Sequence, residues 1–266
     1  MTRVRPRFSR TVARSRWREY EALLVEAARQ GYAIVSLEAW LDGQESGGDR
    51  TIVLRHDVDQ DPRSALTMAA IERKLGLRST WYFRWRTVHP TVVRSLRAAG
   101  FEVGLHYETL TRMTLDGSLP EADPLGAARA VLRQEVGAFA ALFGPVRSVV
   151  PHGDSRVPGV RNARLLQGEA WDDYGIDWDG NEAMRGRRLG RWLTDRSAPE
   201  GGWKDAVDAH ALLGDGVSPI LCLTHPNNWS SGASLWRDRL LRTLPPWSAA
   251  GPVRPIRSGS DAPVLK

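Results

Sequence analysis

Residues 51–59 read TIVLRHDVD, an apolar run that ends in two carboxylates one residue apart. A short apolar run of this kind is typical of a buried strand in a parallel sheet. Side chains at i and i+2 of an extended backbone point to the same side, so Asp57 and Asp59 are expected to lie together. Their repulsion requires a cation or a shared proton to offset it. The stretch therefore predicts a strand that leads into a metal site. An Asp-x-Asp triplet alone, however, is also typical of a solvated loop or a helix cap.

Apolar strand-like runs alternate with helical patterns through the rest of the chain. The predicted strands cover residues 51–54, 79–83, 101–105, 146–150 and 220–224, with weaker ones near 174–176 and 189–193. The predicted helices cover residues 17–30, 62–75, 90–99, 123–143, 205–213 and 234–244. This alternation predicts a parallel α/β architecture. Six or seven strands fit either an incomplete barrel or an open doubly wound sheet.

Polar clusters follow four of the predicted strands. They read HDVD at residues 56–59, HYE at 106–108, HGD at 152–154 and THP at 224–226. In a barrel the carboxyl ends of all strands meet on one face, which carries the chemistry. A flat sheet would spread these clusters out, so their recurrence favours the barrel.

Three histidines at these strand ends are candidates for metal binding or acid–base work. His106, His152 and His225 each follow an apolar run. A lone histidine at a strand end is more often a structural residue, but imidazole together with carboxylate is the usual ligand set of zinc and its neighbours. Glu108 could bind the metal or orient a ligand. Because proline fixes the backbone after His225, this histidine is placed to act as an acid.

The composition is that of a folded protein, since 266 residues with 42% hydrophobic side chains supply ample material for a core. No stretch approaches the roughly 18 apolar residues that a membrane span requires, and the N-terminus lacks the apolar region of a secretory signal. We therefore expect a soluble, cytoplasmic protein. The single cysteine, Cys222, lies in an apolar run and is expected to be a buried structural thiol.

Residues 1–16 are rich in arginine and contribute to a net charge of +6. They are predicted to be a basic flexible arm, followed by a single barrel domain over residues 17–247 and a loose C-terminal tail over 248–266. A solvated arm is the simplest interpretation, and contact with nucleic acid or membrane lipid is the alternative. Because no nucleic-acid-binding motif accompanies the arm, a nucleic-acid partner is not expected.

The order of the motifs is similar to that of the NodB-homology polysaccharide deacetylases, carbohydrate esterase family 4. The motifs are the Asp-x-Asp of residues 57–59, Glu-Val-Gly-x-His at 102–106, Pro-x-Gly at 151–153 and Leu-x-Leu-Thr-His at 221–225. The resemblance covers residues 51–229 and is strongest to an RHDVD-type branch of that superfamily. It implies a distorted (β/α)7 barrel that hydrolyses N-acetyl or O-acetyl groups on amino sugars or glycan precursors. It also implies a divalent metal, with zinc expected and cobalt, nickel or manganese as alternatives.

The resemblance also assigns roles to four residues of this chain. Asp57 matches the general base of the family and Asp59 its metal-binding aspartate. His106 matches the first metal histidine and His225 the catalytic acid. A competing register would give the two carboxylate roles to His56 and Asp57 instead.

The chain departs from the family pattern at two positions. The second metal histidine would fall at Leu110, which cannot bind a metal, and the arginine of the family's turn is replaced by Val149. His152 arises in the same turn and is the predicted replacement ligand, with Glu108 as its substitute. These departures bear on activity and not on the fold.

Four further residues are predicted to contact the substrate. They are Arg156, Asp195, Trp203 and Trp229, of which the two tryptophans could stack on sugar faces. Two other functions stay open. One is a non-catalytic NodB-like protein that binds a glycan or a metal. The other is a glycosyltransferase whose Asp-x-Asp holds a nucleotide sugar through a metal, an interpretation that makes no use of the three histidines.

Overall fold

The computed structural model describes residues 15–43, 50–187, 189–196 and 202–230. Most of the predicted basic arm, the helix predicted over residues 234–244 and the predicted tail over 248–266 lie outside the described residues. Within the part of the chain that is described, no helix is long and apolar enough to cross a membrane.

Eight strands form one parallel sheet. They are β1 (Ala33–Val35), β2 (Thr51–Val58), β3 (Thr80–Phe83), β4 (Glu102–Tyr107), β5 (Ser148–Pro151), β6 (Trp178–Asp179), β7 (Arg191–Thr194) and β8 (Ile220–Thr224). The strands are hydrogen-bonded in the order β6-β5-β4-β3-β2-β8-β7, and β1 adds to β2 from outside this path.

The strand order is that of a curled sheet with one break. From β2 to β6 each strand pairs with the next one in the chain, and β8, the last strand, pairs with β2. β7 pairs with β8, so among the described residues the only break in the ring of seven strands lies between β6 and β7. Although three strands separate β2 from β6, Nη1 of Arg55 on β2 lies 2.6 Å from Oδ1 of Asn181, which follows β6, so the sheet is curled into an incomplete barrel. The fold is therefore the predicted distorted (β/α)7 barrel and not an open doubly wound sheet.

Nine α-helices accompany these strands within the described residues. They are α1 (Trp17–Arg29), α2 (Leu37–Leu41), α3 (Pro62–Lys74), α4 (Pro90–Ala98), α5 (Thr109–Leu115), α6 (Pro124–Phe143), α7 (Gly180–Gly186), α8 (Ala209–Gly214) and α9 (Pro226–Trp229). The predicted apolar face of the first helix is buried, since Tyr20, Leu23, Leu24 and Ala27 all lie in the core.

Alternation along the strands builds two separate apolar layers. The larger layer lies between the sheet and the helices and includes Leu54, Trp81 and Cys222. The smaller layer contains Val53, Val150 and other strand residues together with side chains of α2 and α7. Because β2 and β5 are not neighbours in the sheet, these residues meet across the inside of the barrel. Successive residues of a strand therefore face either the helices or the barrel interior.

The structure corrects several predicted boundaries. β2 runs to Val58, four residues beyond the predicted end, so Asp57 belongs to the strand and Asp59 follows it directly. No strand forms at residues 174–176, where a 3-10 helix (Trp171–Tyr174) lies instead, and β6 comes later. The helix predicted over 205–213 begins only at α8, because Asp208 caps it by accepting hydrogen bonds from two backbone amides.

Candidate active site

Four of the predicted side chains converge at the carboxyl end of the barrel. Asp59 follows β2, His106 lies on β4, His152 follows β5 and His225 follows β8. The distances from Nε2 to the nearer Asp59 oxygen are 3.3 Å for His106, 3.6 Å for His152 and 3.7 Å for His225. Histidines from three strands thus surround the carboxylate that follows a fourth.

Asp59, His106 and His152 have the geometry of a metal-ligand set. Their ligand atoms all lie within 4.8 Å of one another. Two donors that each sit about 2.1 Å from one ion at a tetrahedral angle lie about 3.4 Å apart. The observed separations of 3.3 and 3.6 Å match that spacing. The Oδ1 atom of Asp59 is buried and has no hydrogen-bond partner among the described residues, so it is available to bind a cation.

The orientation of His106 supports the same interpretation. Its Nδ1 lies 3.0 Å from the carbonyl oxygen of Val150, so Nδ1 must carry a proton and donate it. In the neutral imidazole, Nε2 then presents a lone pair to the carboxylates of Asp57, at 3.5 Å, and Asp59, at 3.3 Å. A lone pair facing two carboxylates is repulsive, and either a cation between them or a proton on Nε2 removes the repulsion.

His152 is held at the rim of this set by its backbone, which donates a hydrogen bond to the carbonyl oxygen of Tyr107 at 2.8 Å. Burial and the neighbouring His106 lower the pKa of His152 to about 3. The imidazole is therefore neutral at physiological pH, as metal binding requires. Its second nitrogen, Nδ1, is buried, has no hydrogen-bond partner in the described part of the chain and lies 3.8 Å from Glu108 Oε2.

Glu108, the predicted substitute ligand, lies behind His152 and forms a buried ion pair with Arg84. It also belongs to a second group of possible ligands with His152 and Asp154, whose own carboxylate pairs with Arg156. Because each carboxylate of this second group is already neutralised by an arginine, the group is a poorer cation site than the first. Glu108 Oε2 lies 3.8 Å from His152 Nδ1, beyond hydrogen-bond distance, so it faces the imidazole as a neighbouring charge.

Asp57 is engaged by a residue of its own strand. Arg55 donates from Nε to Oδ1 and from Nη2 to Oδ2, both at 2.8 Å. Burial alone would raise the pKa of the Asp57 carboxyl, but Arg55 and then His106 outweigh it and hold the pKa below its ordinary value. Asp57 is therefore ionised at neutral pH.

His56 faces the opposite way, into the layer between the sheet and the helices. Its Nδ1 lies 2.7 Å from Thr224 Oγ1 and its Nε2 lies 3.0 Å from the carboxylate of Glu72 on α3. The competing register, in which His56 and Asp57 fill the two carboxylate roles, does not fit this structure. The reason is the two-residue repeat of a strand, which puts neighbours on opposite faces.

His225 forms a dyad with Asp195. Its Nδ1 donates to Asp195 Oδ1 at 2.7 Å, and this leaves Nε2 turned toward Asp59. Burial alone would lower the pKa of His225, but the charge of Asp195 and its hydrogen bond outweigh burial and raise the pKa to about 9. The imidazole thus carries its proton at neutral pH and presents it to the site.

The predicted substrate contacts of Asp195 and Trp229 do not fit the structure, because the two residues are only 1% and 2% exposed. Asp195 Oδ2 accepts hydrogen bonds from the His225 amide and from Trp229 Nε1, so neither residue has a free polar atom for a ligand. Trp203 is half-buried and packs on the Trp229 ring at 5.8 Å. Arg156 is exposed and paired with Asp154.

Two residues at this end of the barrel received no role from the sequence. Arg55 was part of the RHDVD motif, and its spacing of two from Asp57 was the available signal, since it puts both side chains on one face. Asn181 accepts a hydrogen bond from Arg55 Nη1 at 2.6 Å. No local pattern indicated this contact, because 126 residues separate the two.

No family model and no curated protein matches this chain. The matching solved structures include the polysaccharide deacetylase Bc1974 from Bacillus cereus, with 17% identity, a TM-score of 0.38 and coverage of 72% of this chain and 85% of that one. BA3943 from Bacillus anthracis, a CE4 family pseudoenzyme, matches with 16% identity, a TM-score of 0.38 and coverage of 72% and 59%. A BA3943 mutant with restored enzymatic activity matches with 15% identity, the same TM-score and coverage of 72% and 62%.

The chain therefore spans about 60% of the length of either BA3943 structure. The fold itself rests on the strand order of this chain.

Proposed function

We propose that this chain is a hydrolase of the polysaccharide deacetylase type, which uses a divalent metal to remove N- or O-acetyl groups from an amino sugar or glycan precursor. The observation that carries the proposal is the division of the site into three parts. A candidate ligand set, Asp59 with His106 and His152, lies between an ionised carboxylate, Asp57, and a protonated imidazole, His225. Two titratable groups whose pKa values are pushed apart by their surroundings are typical of an acid–base pair.

A divalent ion held by the three ligands would lower the pKa of a water from about 15.7 to about 7 and polarise the acyl oxygen. Asp57 accepts the proton of the attacking water, a task for which its low pKa keeps it ionised. His225 donates its Nε2 proton to the departing amine nitrogen or alcohol oxygen, and Asp195 stabilises the imidazolium until then. The products are acetate and the deacylated sugar.

Two imidazoles and one carboxylate form a ligand set that suits zinc, with cobalt, nickel and manganese as alternatives. The substrate is an acylated amino sugar or a glycan precursor. Trp203 keeps a partly exposed ring near the site and is the better placed of the two predicted tryptophans to contact a sugar.

The test is acetate release from oligomers of N-acetylglucosamine by the zinc-loaded protein and by Asp57→Asn. The variant is expected to keep its metal and to lose at least about 100-fold in kcat, because it lacks the proton acceptor. Replacement of the exposed His210 by alanine is the matched control and should leave kcat unchanged. If the wild type releases no acetate with any of the four metals, the proposed function fails.

One observation favours a non-catalytic metal- or glycan-binding protein as the second candidate. Both oxygens of Asp57 already accept hydrogen bonds from Arg55, so the base is more constrained than a free carboxylate. On this alternative, the protein binds metal, releases no acetate and is unaffected by Asp57→Asn. The same contact opposes the glycosyltransferase interpretation, because Asp57 is not free to share a metal with Asp59.

A further inference from the structure

Arg55 is an almost completely buried cation in the barrel interior, with an exposed fraction of 2%. Two of its nitrogens bind the two oxygens of Asp57. A third, Nη1, donates to Asn181 Oδ1 at 2.6 Å. The guanidinium carbon also lies 5.1 Å from the ring centre of Tyr82, so the cation is held on its face as well as along its edge.

Asn181 is itself fixed at the start of α7. Asp179 caps this helix by accepting hydrogen bonds from the Asn181 amide at 2.8 Å and the Glu182 amide at 3.2 Å. Tyr107 Oη donates to the other oxygen of Asp179 at 3.2 Å. A continuous chain of hydrogen bonds therefore crosses the barrel, from Asp179 on β6 through Asn181 and Arg55 to Asp57 on β2.

This chain of contacts sets the orientation of the Asp57 carboxylate. A planar guanidinium that binds both carboxylate oxygens fixes the plane of the carboxylate as well as its position. Oδ2 of Asp57 then lies 3.5 Å from His106 Nε2. The lone pair of Oδ2 that Arg55 does not use is therefore beside the candidate metal ligands. Burial strengthens the interaction, because the same pair in water would be screened.

We propose that Arg55, held in place by Asn181, is a positioning residue for the base Asp57. This inference rests on the proposed hydrolase function and adds to it two residues that act through Asp57 without touching the substrate. The inference also connects α7 to the reaction, because Asn181 lies in this helix, on the far side of the barrel from Asp57.

The test compares Arg55→Met in the wild type and in the Asp57→Asn background. In the wild type the substitution is expected to lower kcat by about 10- to 100-fold, while KM and the bound zinc stay within about twofold. In the Asp57→Asn background the same substitution should change kcat by less than about twofold, because the carboxylate that Arg55 positions is already absent. Asn181→Leu is expected to lower kcat by about 3- to 10-fold in the wild type and not in the Asp57→Asn background.

Arg147→Met is the matched control. Arg147 also binds an aspartate with two nitrogens, at 2.8 and 3.0 Å from the oxygens of Asp42, but at the opposite end of the barrel. Its loss should leave kcat unchanged. If Arg55→Met does not fold, Arg55→Lys and Asn181→Leu replace it, since both keep a side chain of similar length or volume in place.

Equal losses of kcat in the two backgrounds would overturn the inference, because Arg55 would then act on the barrel as a whole. A change confined to KM or to zinc content would overturn it as well. An inactive wild type removes the proposed function and the positioning role together. A wild type that releases acetate while Arg55→Met keeps full kcat removes only the positioning role.

Discussion

His152 is the proposed third ligand because the position where a second motif histidine would fall is occupied by Leu110, which cannot bind a metal. Leu110 lies on α5 with its side chain buried in the layer between the sheet and the helices. His152 instead reaches the site from the end of β5, with a neutral imidazole and one nitrogen 3.6 Å from Asp59. Glu108 lies beside the other nitrogen and is already paired with Arg84.

At the residue scale, we expect the loss of His152 and the loss of Glu108 to have different effects on zinc binding. His152→Ala is expected to lose stoichiometric zinc, because it removes a donor from the set. Glu108→Gln should weaken zinc affinity by only about 10- to 100-fold, as loss of an outer partner does. Metal analysis and titration calorimetry measure both, with His210→Ala as the control histidine. Full zinc in His152→Ala together with none in Glu108→Gln would make Glu108 the third ligand.

At the scale of elements, the start of α7 is packed into the barrel interior so closely that only glycine fits. A Cβ atom at Gly180 would lie 2.8 Å from Val150 Cγ1 and 2.9 Å from Leu37 Cδ2. These neighbours belong to β5 and α2, so the contact joins three elements around the same interior core. Because interiors are close-packed, an added methyl group must displace one of them.

Gly180→Ala is therefore expected to lower the free energy of unfolding by roughly 1–3 kcal/mol. Gly186→Ala is the matched control at the other end of the same helix, where a Cβ meets nothing within 4 Å. That substitution should be neutral or raise the free energy of unfolding by up to about 1 kcal/mol, because alanine is the better helix former. Urea unfolding measures both, and equal destabilisation by the two would show that close packing at Gly180 is not the cause.

At the scale of the whole molecule, the end of the barrel opposite the site is closed by a buried pair of acids. Glu102 on β4 accepts hydrogen bonds from the amides of Glu38 and Ala39 at the start of α2, at 3.0 and 3.2 Å. Burial, and then the charge of Glu102, raise the pKa of Glu38 to about 7. Ser148 donates to Glu38 at 3.1 Å and partly offsets these effects.

This pair makes the stability of the fold depend on pH. A carboxyl whose folded pKa is about 7 and whose ordinary value is 4.5 binds its proton more tightly in the folded state. The contribution of the protonated Glu38 to the free energy of unfolding is fully present below about pH 4.5 and is lost as the pH rises to about 7. The facing cations Arg147 and Arg97 lower the pKa of Glu38 but do not reverse the shift.

Glu38→Gln is therefore expected to raise the free energy of unfolding at pH 8 by about 1–3 kcal/mol relative to the wild type, and by little near pH 4.5. Denaturant unfolding across this range measures the difference between the two proteins, which removes the contributions of other titrating groups. Glu121→Gln, in an exposed loop, should show no such pH dependence. A constant difference between wild type and Glu38→Gln at all pH values would contradict the assignment.

Much of the site could be predicted because strand geometry is local. The apolar run before Asp57 and the two-residue repeat were sufficient to indicate that Asp57 and Asp59 share one face, but the predicted strand ended four residues too early and left Arg55 without a role. The polar clusters that follow four predicted strands were sufficient to indicate that the candidate side chains lie on one face of the barrel. The 3-10 helix at Trp171–Tyr174 and the late start of α8 were missed, because caps and tight turns compete with weak apolar patterns.

By itself the sequence determined the parallel α/β class, the barrel and the strand ends at which the candidate side chains lie. Only the tertiary structure decided which of those side chains face each other. It put His56 into the outer layer, joined Asp195 to both His225 and Trp229, and joined Arg55 to Asn181. The physical reason is that side-chain alternation is fixed within a strand. Contacts across the barrel depend instead on how the whole sheet closes and on which buried polar atoms find a partner.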